Sequence, residues 1–270
     1  MREIDRNIIG IIPARNESEF LEKTLDGLKN QTLPLTRVVL VNDGSTDKTT
    51  EIAKKFDIEI LNLKNRGFRA TGEPVLAEVI NKGLKTICEN ECQYIMILGA
   101  DHILSSNYVL TIIQEMEKND FVIASGIIDK ESQRDTSPRG SGRIVRYDFW
   151  KKYGLEYPCW YGFESYIIYK ALIENYRIGV VRNANSWSQR KTGKTTNYKN
   201  YGKAMRALGY HPLYAMGRIL RTLFNNPKRS VEMFFGFLDF SIKKYDIASD
   251  VHAFQLIQLK QKLFPKIKSA

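Results

Sequence analysis

Two rhythms of apolar positions alternate along the first 125 residues. Short, nearly continuous apolar runs stand at 7–14 (NIIGIIPA), 37–43 (RVVLVND), 58–63 (IEILNL), 94–101 (YIMILGAD) and 121–125 (FVIAS). Runs of this length, rich in Ile and Val and closed by polar or turn residues, predict strands covered on both faces. The stretches between them have helical spacing. EFLEKTLDGLKNQ puts Phe20, Leu21, Leu25 and Leu28 on one stripe. DKTTEIAKKF is a short helix with Asp47 placed to cap it. EPVLAEVINKGLKTI and SSNYVLTIIQEMEK are two further helices. Strands separated by helices of this length predict right-handed crossovers and a mostly parallel α/β sheet flanked by helices. Ligands of such sheets sit beyond the carboxyl ends of the strands. Asp43 and Asp101 both fall at such ends and can face one crevice.

Beyond residue 125 the pattern changes. Residues 129–146 (DKESQRDTSPRGSGRIVR) are polar, rich in Gly and Ser, and carry four arginines, which predicts a mobile loop. A helical stretch follows at 161–176 (YGFESYIIYKALIENY), then one more strand at RIGVV. After residue 200 two amphipathic helices are expected. In HPLYAMGRILRTLFNN the stripe is Leu213, Met216, Leu220, Leu223 and Phe224. In SVEMFFGFLDFSIKKY it is Val231, Phe234, Phe235, Leu238 and Ile242, widened by Met233, Phe237 and Phe240. The predicted organisation is a domain over 1–200 and a basic amphipathic helical region over 201–270.

Composition bounds this picture more than it sharpens it. The 270 residues, 43% hydrophobic and 26% charged, are those of an ordinary folded chain. Cys88, Cys92 and Cys159 form no ladder of pairs and no zinc set, so they read as reduced thiols. The apolar run of MREIDRNIIGII is too short for a signal peptide, and nothing approaches a membrane span. A cytoplasmic protein is expected. Charge adds an asymmetry. Residues 1–181 hold 24 Lys/Arg against 26 Asp/Glu, a net −2, whereas residues 182–270 hold 17 against 4, a net +13. The basic third points at an anionic surface.

Three stretches then align at the predicted strand ends: IIPARNE, VVLVNDGSTDKTTEIA and YIMILGADHIL. Together with INKGLKTI they resemble the family 2 glycosyltransferases, which have the GT-A (Rossmann-like) fold. The resemblance covers roughly residues 7–185. It implies that Pro13, Ala14, Arg15, Glu17, Asp43, Arg69 and Ala100 hold the nucleotide of a nucleotide-diphospho-sugar donor, with Asp43 accepting a hydrogen bond from the base. It implies that Asp101, assisted by His102, holds Mg²⁺ or Mn²⁺ against the diphosphate. It implies that Glu164, in the first turn of a helix, is the general base. Three departures stand out. Gly99 replaces the first aspartate of the DXD motif, Ser165 follows Glu164 where an aspartate is usual, and Trp187 and Gln189 stand where many relatives have a histidine.

Arg66, Arg69, Arg139, Arg143, Arg146, Arg190, Lys191 and Lys194 are candidate phosphate clamps. The expected activity is inverting transfer of a sugar from a UDP- or GDP-activated donor to a lipid-linked or cell-envelope glycan. The enzyme is expected at the inner face of the cell membrane, attached by its basic helices, with packing of those helices on the catalytic domain or on a second subunit, as a homodimer, as the other use for them. A sugar-phosphate nucleotidyltransferase would need a Gly-rich loop after the first strand, and IIPARNE has none. A nucleic-acid- or membrane-binding module would explain the basic third but not VNDGSTDKT, so no nucleic-acid partner is expected. The altered acids at 99 and 165 also fit a catalytically weakened member.

Overall fold

The computed structural model describes residues 6–129, 137–190 and 197–263. Strand β1 (Ile8–Ala14) is buried along nearly its whole length, as its unbroken apolar run requires. It pairs in parallel with β2 (Arg37–Asn42) on one side and β4 (Tyr94–Ile97) on the other, and β3 (Glu59–Asn62) lies parallel outside β2. Four further strands extend the sheet: β5 (His102–Leu104), β6 (Phe121–Ile128), β7 (Arg143–Arg146) and β8 (Arg177–Ser188). The order is β3-β2-β1-β4-β7-β6-β8-β5. Four of the seven pairings are parallel, and β7 and β5 supply the antiparallel ones.

Those two strands are where the structure departs from the sequence pattern. β5 has three residues, too few to show alternation. β7 lies at the end of the polar segment expected as a loop, of which residues 130–136 are outside the described residues. Its Ile144 and Val145 become strand because β4 and β6 flank them and bury them completely. Helices α1 (Leu21–Lys29), α2 (Thr49–Ala53), α3 (Val75–Leu84), α4 (Tyr108–Asn119) and α5 (Tyr147–Lys151) complete this part. Leu21, Leu25 and Leu28 of α1 and Val109, Ile112 and Ile113 of α4 enter one core with the strands.

The chain divides into two units. The first comprises Met1–Thr71, Val75–Tyr157 and Asn175–Lys194, and the second Gly72–Pro74, Pro158–Glu174 and Thr195–Ala270. The boundary expected at residue 200 lies a few residues beyond the last crossing between these units. The break falls at 195, and α6 (Phe163–Ile173), which carries Glu164, belongs to the helical unit. It contributes Tyr166, Tyr169 and Ile173 to a core built from α7 (Tyr198–Ala207), α8 (Pro212–Asn225), α9 (Pro227–Phe237) and α10 (Ala248–Leu263). Two glycines bring α7 and α9 into backbone contact. A Cβ on Gly202 would lie 2.0 Å from the Met233 carbonyl oxygen, and one on Gly236 would lie 2.0 Å from that of Lys199.

The expected stripes of α8 and α9 lie mostly on the exposed side of their helices. α8 buries Ala215 and Ile219, and α9 buries Ser230, Met233 and Gly236. Leu213, Leu220, Phe224, Val231 and Phe235 stay exposed. The inner faces are thus built mostly from other residues than the stripes.

Candidate active site

The tips of β1 and β2 are locked together by the polar residues that follow them. Asp43 donates its backbone N–H to the Ala14 carbonyl at 2.8 Å. Asn42 is buried, and its amide donates to Thr50 Oγ1 and Asn62 Oδ1 while its oxygen accepts the Ser45 N–H. Asn16 donates its backbone N–H to Ser45 Oγ and accepts the Thr46 N–H on its side chain. Gly44 turns the chain at φ +66°, and a Cβ there would stand 2.3 Å from the Asn65 Cα. Only glycine fits both the φ and the gap. Asp47 accepts the N–H groups of Ser18 and Thr49, each at 3.0 Å, and so caps α2 as expected, though from one position before its formal cap residue. Burial pushes the Asp47 carboxyl up, but the hydrogen bonds from Thr49 and Ser18 together outweigh it and hold the group below the usual carboxylate range.

Asp43 is 2% exposed. Its Oδ1 accepts from Arg66 Nε at 2.8 Å. Its Oδ2 is buried without a hydrogen-bond partner, and Arg15 Nη1 stands 4.0 Å away. Arg15 instead donates to the Asp43 carbonyl oxygen and, at 2.6 Å, to Asn65 Oδ1. A buried carboxylate oxygen left open costs about 1–3 kcal/mol, so this atom marks where a donor group is expected.

A second cluster joins the loop after β1 to the ends of β4 and β8. Glu17, also buried, accepts from Arg69 Nη2 at 2.5 Å and from both terminal nitrogens of Arg190, at 2.5 and 3.0 Å. Burial pushes the Glu17 carboxyl above its ordinary value, and Arg190 and Arg69 pull it back down. The ion pairs thus offset a desolvation penalty instead of adding net stability. Arg190 Nη1 also lies 3.5 Å from Asp101 Oδ2, and its guanidinium rests 4.3 Å above the Phe20 ring. Gln189 fixes that end of β8. Its N–H donates to the Asp101 carbonyl, and its side-chain amide donates to the Phe20 carbonyl.

Most of the residues expected here do converge. Pro13 and Ala14 end β1, Arg15, Glu17, Asp43 and Arg69 form the two clusters, and Ala100 is buried with its carbonyl accepting from Thr24 Oγ1 at 2.9 Å. His102 is the correction. It begins β5, is 3% exposed, and its Nε2 lies 2.8 Å from Ser186 Oγ, so the ring is committed to the interior and does not accompany Asp101. Asp101 belongs to the turn before β5, whereas His102 is already strand and is paired with β8.

Two arginines also leave the list of clamps. Arg143 is buried and donates to the Pro138 and Arg139 carbonyls. Arg146 pairs with Asp120 and Asp148 beside Tyr94, at the opposite end of β4 from Asp101. Lys191 and Lys194 lie outside the described residues. Glu164 is half-buried in the first turn of α6, in the second unit. Asn65 and Phe20 went unseen as site residues. Asn65 shows no chemistry in the sequence beyond preceding Arg66, and the helical stripe assigned Phe20 to the core.

The donor set accommodates a divalent cation only in part. Among the described residues no cluster of three or more His, Cys, Asp or Glu can hold a metal ion. A Cβ on Gly99 would lie 3.1 Å from Ser141 Oγ and 3.2 Å from Asp101 Oδ1, so the position next to Asp101 is filled. One accessible carboxylate fits a cation that takes its other ligands from phosphate oxygens and water, not one held by the protein alone.

The sequence model of glycosyl transferase family 2 matches residues 11–171, more than half of the chain. The chain belongs to glycosyl transferase family 2. Both carboxylate clusters of the first unit fall within or against that span. Over 128 residues the chain is 32% identical to glycosyltransferase GlyA of Streptococcus pneumoniae serotype 4, a match covering 46% of this chain and 17% of that protein. The chain thus spans a small part of that relative's length. Among solved structures it is similar to S. aureus TarS in complex with UDP, with a TM-score of 0.57, 18% identity, and coverage of 74% of this chain and 63% of that one. It is also similar to the mannosyltransferase PcManGT of Pyrobaculum calidifontis in complex with GDP-Man and Mn²⁺. There the TM-score is 0.59 and the identity 13%, over 97% and 81% of the two chains. At these identities the likeness is one of fold, the GT-A fold.

Proposed function

We propose that this family 2 glycosyl transferase moves a hexose, with inversion, from a UDP- or GDP-sugar to a hydroxyl of a lipid-linked or cell-envelope glycan. The observation that carries the donor assignment is the buried, open Oδ2 of Asp43. Its partner must bring an N–H. Uracil and guanine present a ring N–H on their pairing edge, whereas the ring nitrogen of cytosine there is an acceptor that would face the carboxylate unpaired, leaving only the exocyclic amine to donate. TarS with UDP and PcManGT with GDP-Man agree with that choice.

The rest of the chemistry follows from charge. Arg69 and Arg190 carry the positive charge nearest Asp101 and Glu17, and they can turn from these carboxylates to the incoming phosphates. Asp101, released from Arg190, is then the protein ligand of Mg²⁺ or Mn²⁺ arriving with the donor. When bound, that cation stabilises the negative charge growing on the departing diphosphate. Inversion needs a base for the acceptor hydroxyl, and Glu164 is the residue proposed. A second reading, a member that binds donor but turns it over weakly, rests on Gly99 and Ser165 standing where acids are usual.

Thermal shift tests the donor assignment. UDP or GDP is expected to raise Tm, more so with Mn²⁺, while CDP and Mn²⁺ alone do not. Asp43→Ala is expected to remove the response. Equal stabilisation by CDP, or by none of the three, overturns it. Sugar turnover separates the active from the weakened reading.

A further inference from the structure

We infer that the outer face of the α8–α9 pair docks on an anionic lipid bilayer. On α8, Leu213, Leu220 and Phe224 recur at spacings of seven and four, which places them on one stripe. They are exposed to 67%, 49% and 88%. Gly217 lies in the same stripe, and a Cβ there would meet nothing within 4 Å. On α9, Val231 and Phe235 repeat the pattern at a spacing of four, and Phe240 follows in the next turn. These helices are not short of a core, because their other sides are buried against each other and α7. Two neighbouring helices therefore show bulky apolar side chains to solvent although each already has a packed inner face. Exposure of that kind marks a contact surface.

The charge around the face selects the occupant. Residues 197–263 hold 11 Lys/Arg and 4 Asp/Glu, a net +7. Arg221 and Lys228 flank the two stripes and are exposed, as are Lys243 and Lys244 just beyond Phe240. Two of the four acids are already engaged, Asp239 with Lys203 and Asp246 with Lys170. Arg206 lies 3.9 Å over the Phe240 ring, so the aromatic face is itself lined with cation. A second copy of the chain meeting this face about a two-fold axis would set the same basic rim against itself. An anionic bilayer offers an apolar interior for the Phe and Leu side chains and phosphates for the Lys and Arg. Among the described residues no helix is long and apolar enough to cross a membrane, so the attachment lies in the interface plane.

Vesicle co-sedimentation of the full chain tests this. Binding is expected to vesicles containing phosphatidylglycerol, to weaken with added salt, and to be at least about tenfold weaker for phosphatidylcholine alone. Phe224→Ser combined with Phe235→Ser is expected to weaken binding about tenfold or more. Arg221→Glu combined with Lys228→Glu is expected to do the same on anionic vesicles only. All variants should keep the wild-type nucleotide-induced rise in Tm, which reports a folded first unit and separates this inference from the donor assignment. Absence of binding to anionic vesicles overturns it, as does full binding by the double phenylalanine variant. A wild-type dimer in sedimentation equilibrium that becomes monomeric in that variant, with no vesicle binding, assigns the face to a second copy instead.

Discussion

At the tips of β1 and β2 a carboxylate is 2% exposed and one of its oxygens has no partner, while on α8 a phenylalanine is 88% exposed. The first is a polar atom where apolar ones belong, and the second is the reverse. Both positions cost free energy in the isolated protein. Both are surrounded by structure that holds them there. Asp43 is fixed by Arg66 and by the backbone of Ala14, and Phe224 stays outside because Ala215 and Ile219 occupy the packed side of its helix. The difference lies in how each region selects what it meets. The strand tips select by a few directed groups, whereas the helical face selects by area and net charge, which tolerates wide variation in the partner.

That contrast predicts unequal sensitivity to single substitutions. The largest effect is expected from Asp101→Asn, which removes the partly exposed carboxylate that Arg190 pairs with. Sugar turnover should fall about a hundredfold to a thousandfold at unchanged Tm. Intact turnover would remove Asp101 from the chemistry. Glu164→Gln is expected to lower kcat about a hundredfold while leaving the UDP- or GDP-induced Tm rise intact. A loss of donor binding in that variant would instead make Glu164 a donor residue.

Next comes Gly44→Ala. With φ +66° and the Asn65 Cα so near, it should cost about 2 kcal/mol or more and lower Tm by several degrees. Donor affinity should fall in parallel, because Asn65 holds Arg15.

The smallest effect is that of Asp47→Ala, about 1 kcal/mol in urea unfolding at neutral pH. Its carboxyl is held below the usual range in the folded state. Its stabilisation is therefore fully present above the unfolded group's ordinary pKa of about 4 and fades as pH falls through the folded value. The gap between wild type and Asp47→Ala should close on acidification. A constant gap would mean that the loss comes from packing.

The apolar runs made β1, β2, β4 and β6 legible, because strands buried on both faces are written as nearly unbroken apolar runs; β3 was legible too, although it is an edge strand with Glu59 and Asn62 exposed and no residue fully buried. β7 was not legible, since a strand of Arg, Ile, Val and Arg takes its burial from β4 and β6 and not from its own composition. Glu17, Asp43 and Asp101 were readable from their motifs. Their pairing with particular arginines, Arg66 with Asp43 and Arg69 and Arg190 with Glu17, was not, because the loops after β1, β2, β3 and β8 that carry these groups are separated in sequence and residue type does not say which meets which. The helical stripes were legible as apolar sides, but the packed faces of the same helices were not. Periodicity shows that a helix has an apolar side, not which side its neighbour takes, and at Leu213 and Phe224 the two differ.

Arg190 has a consequence for the resting protein. Because one guanidinium bridges Glu17 and Asp101, the two acids share a counter-ion that the protein itself supplies. On the donor assignment proposed above, a diphosphate would compete with the two acids for that one guanidinium. While the bridge stands, Glu17 and Asp101 do not face each other uncompensated.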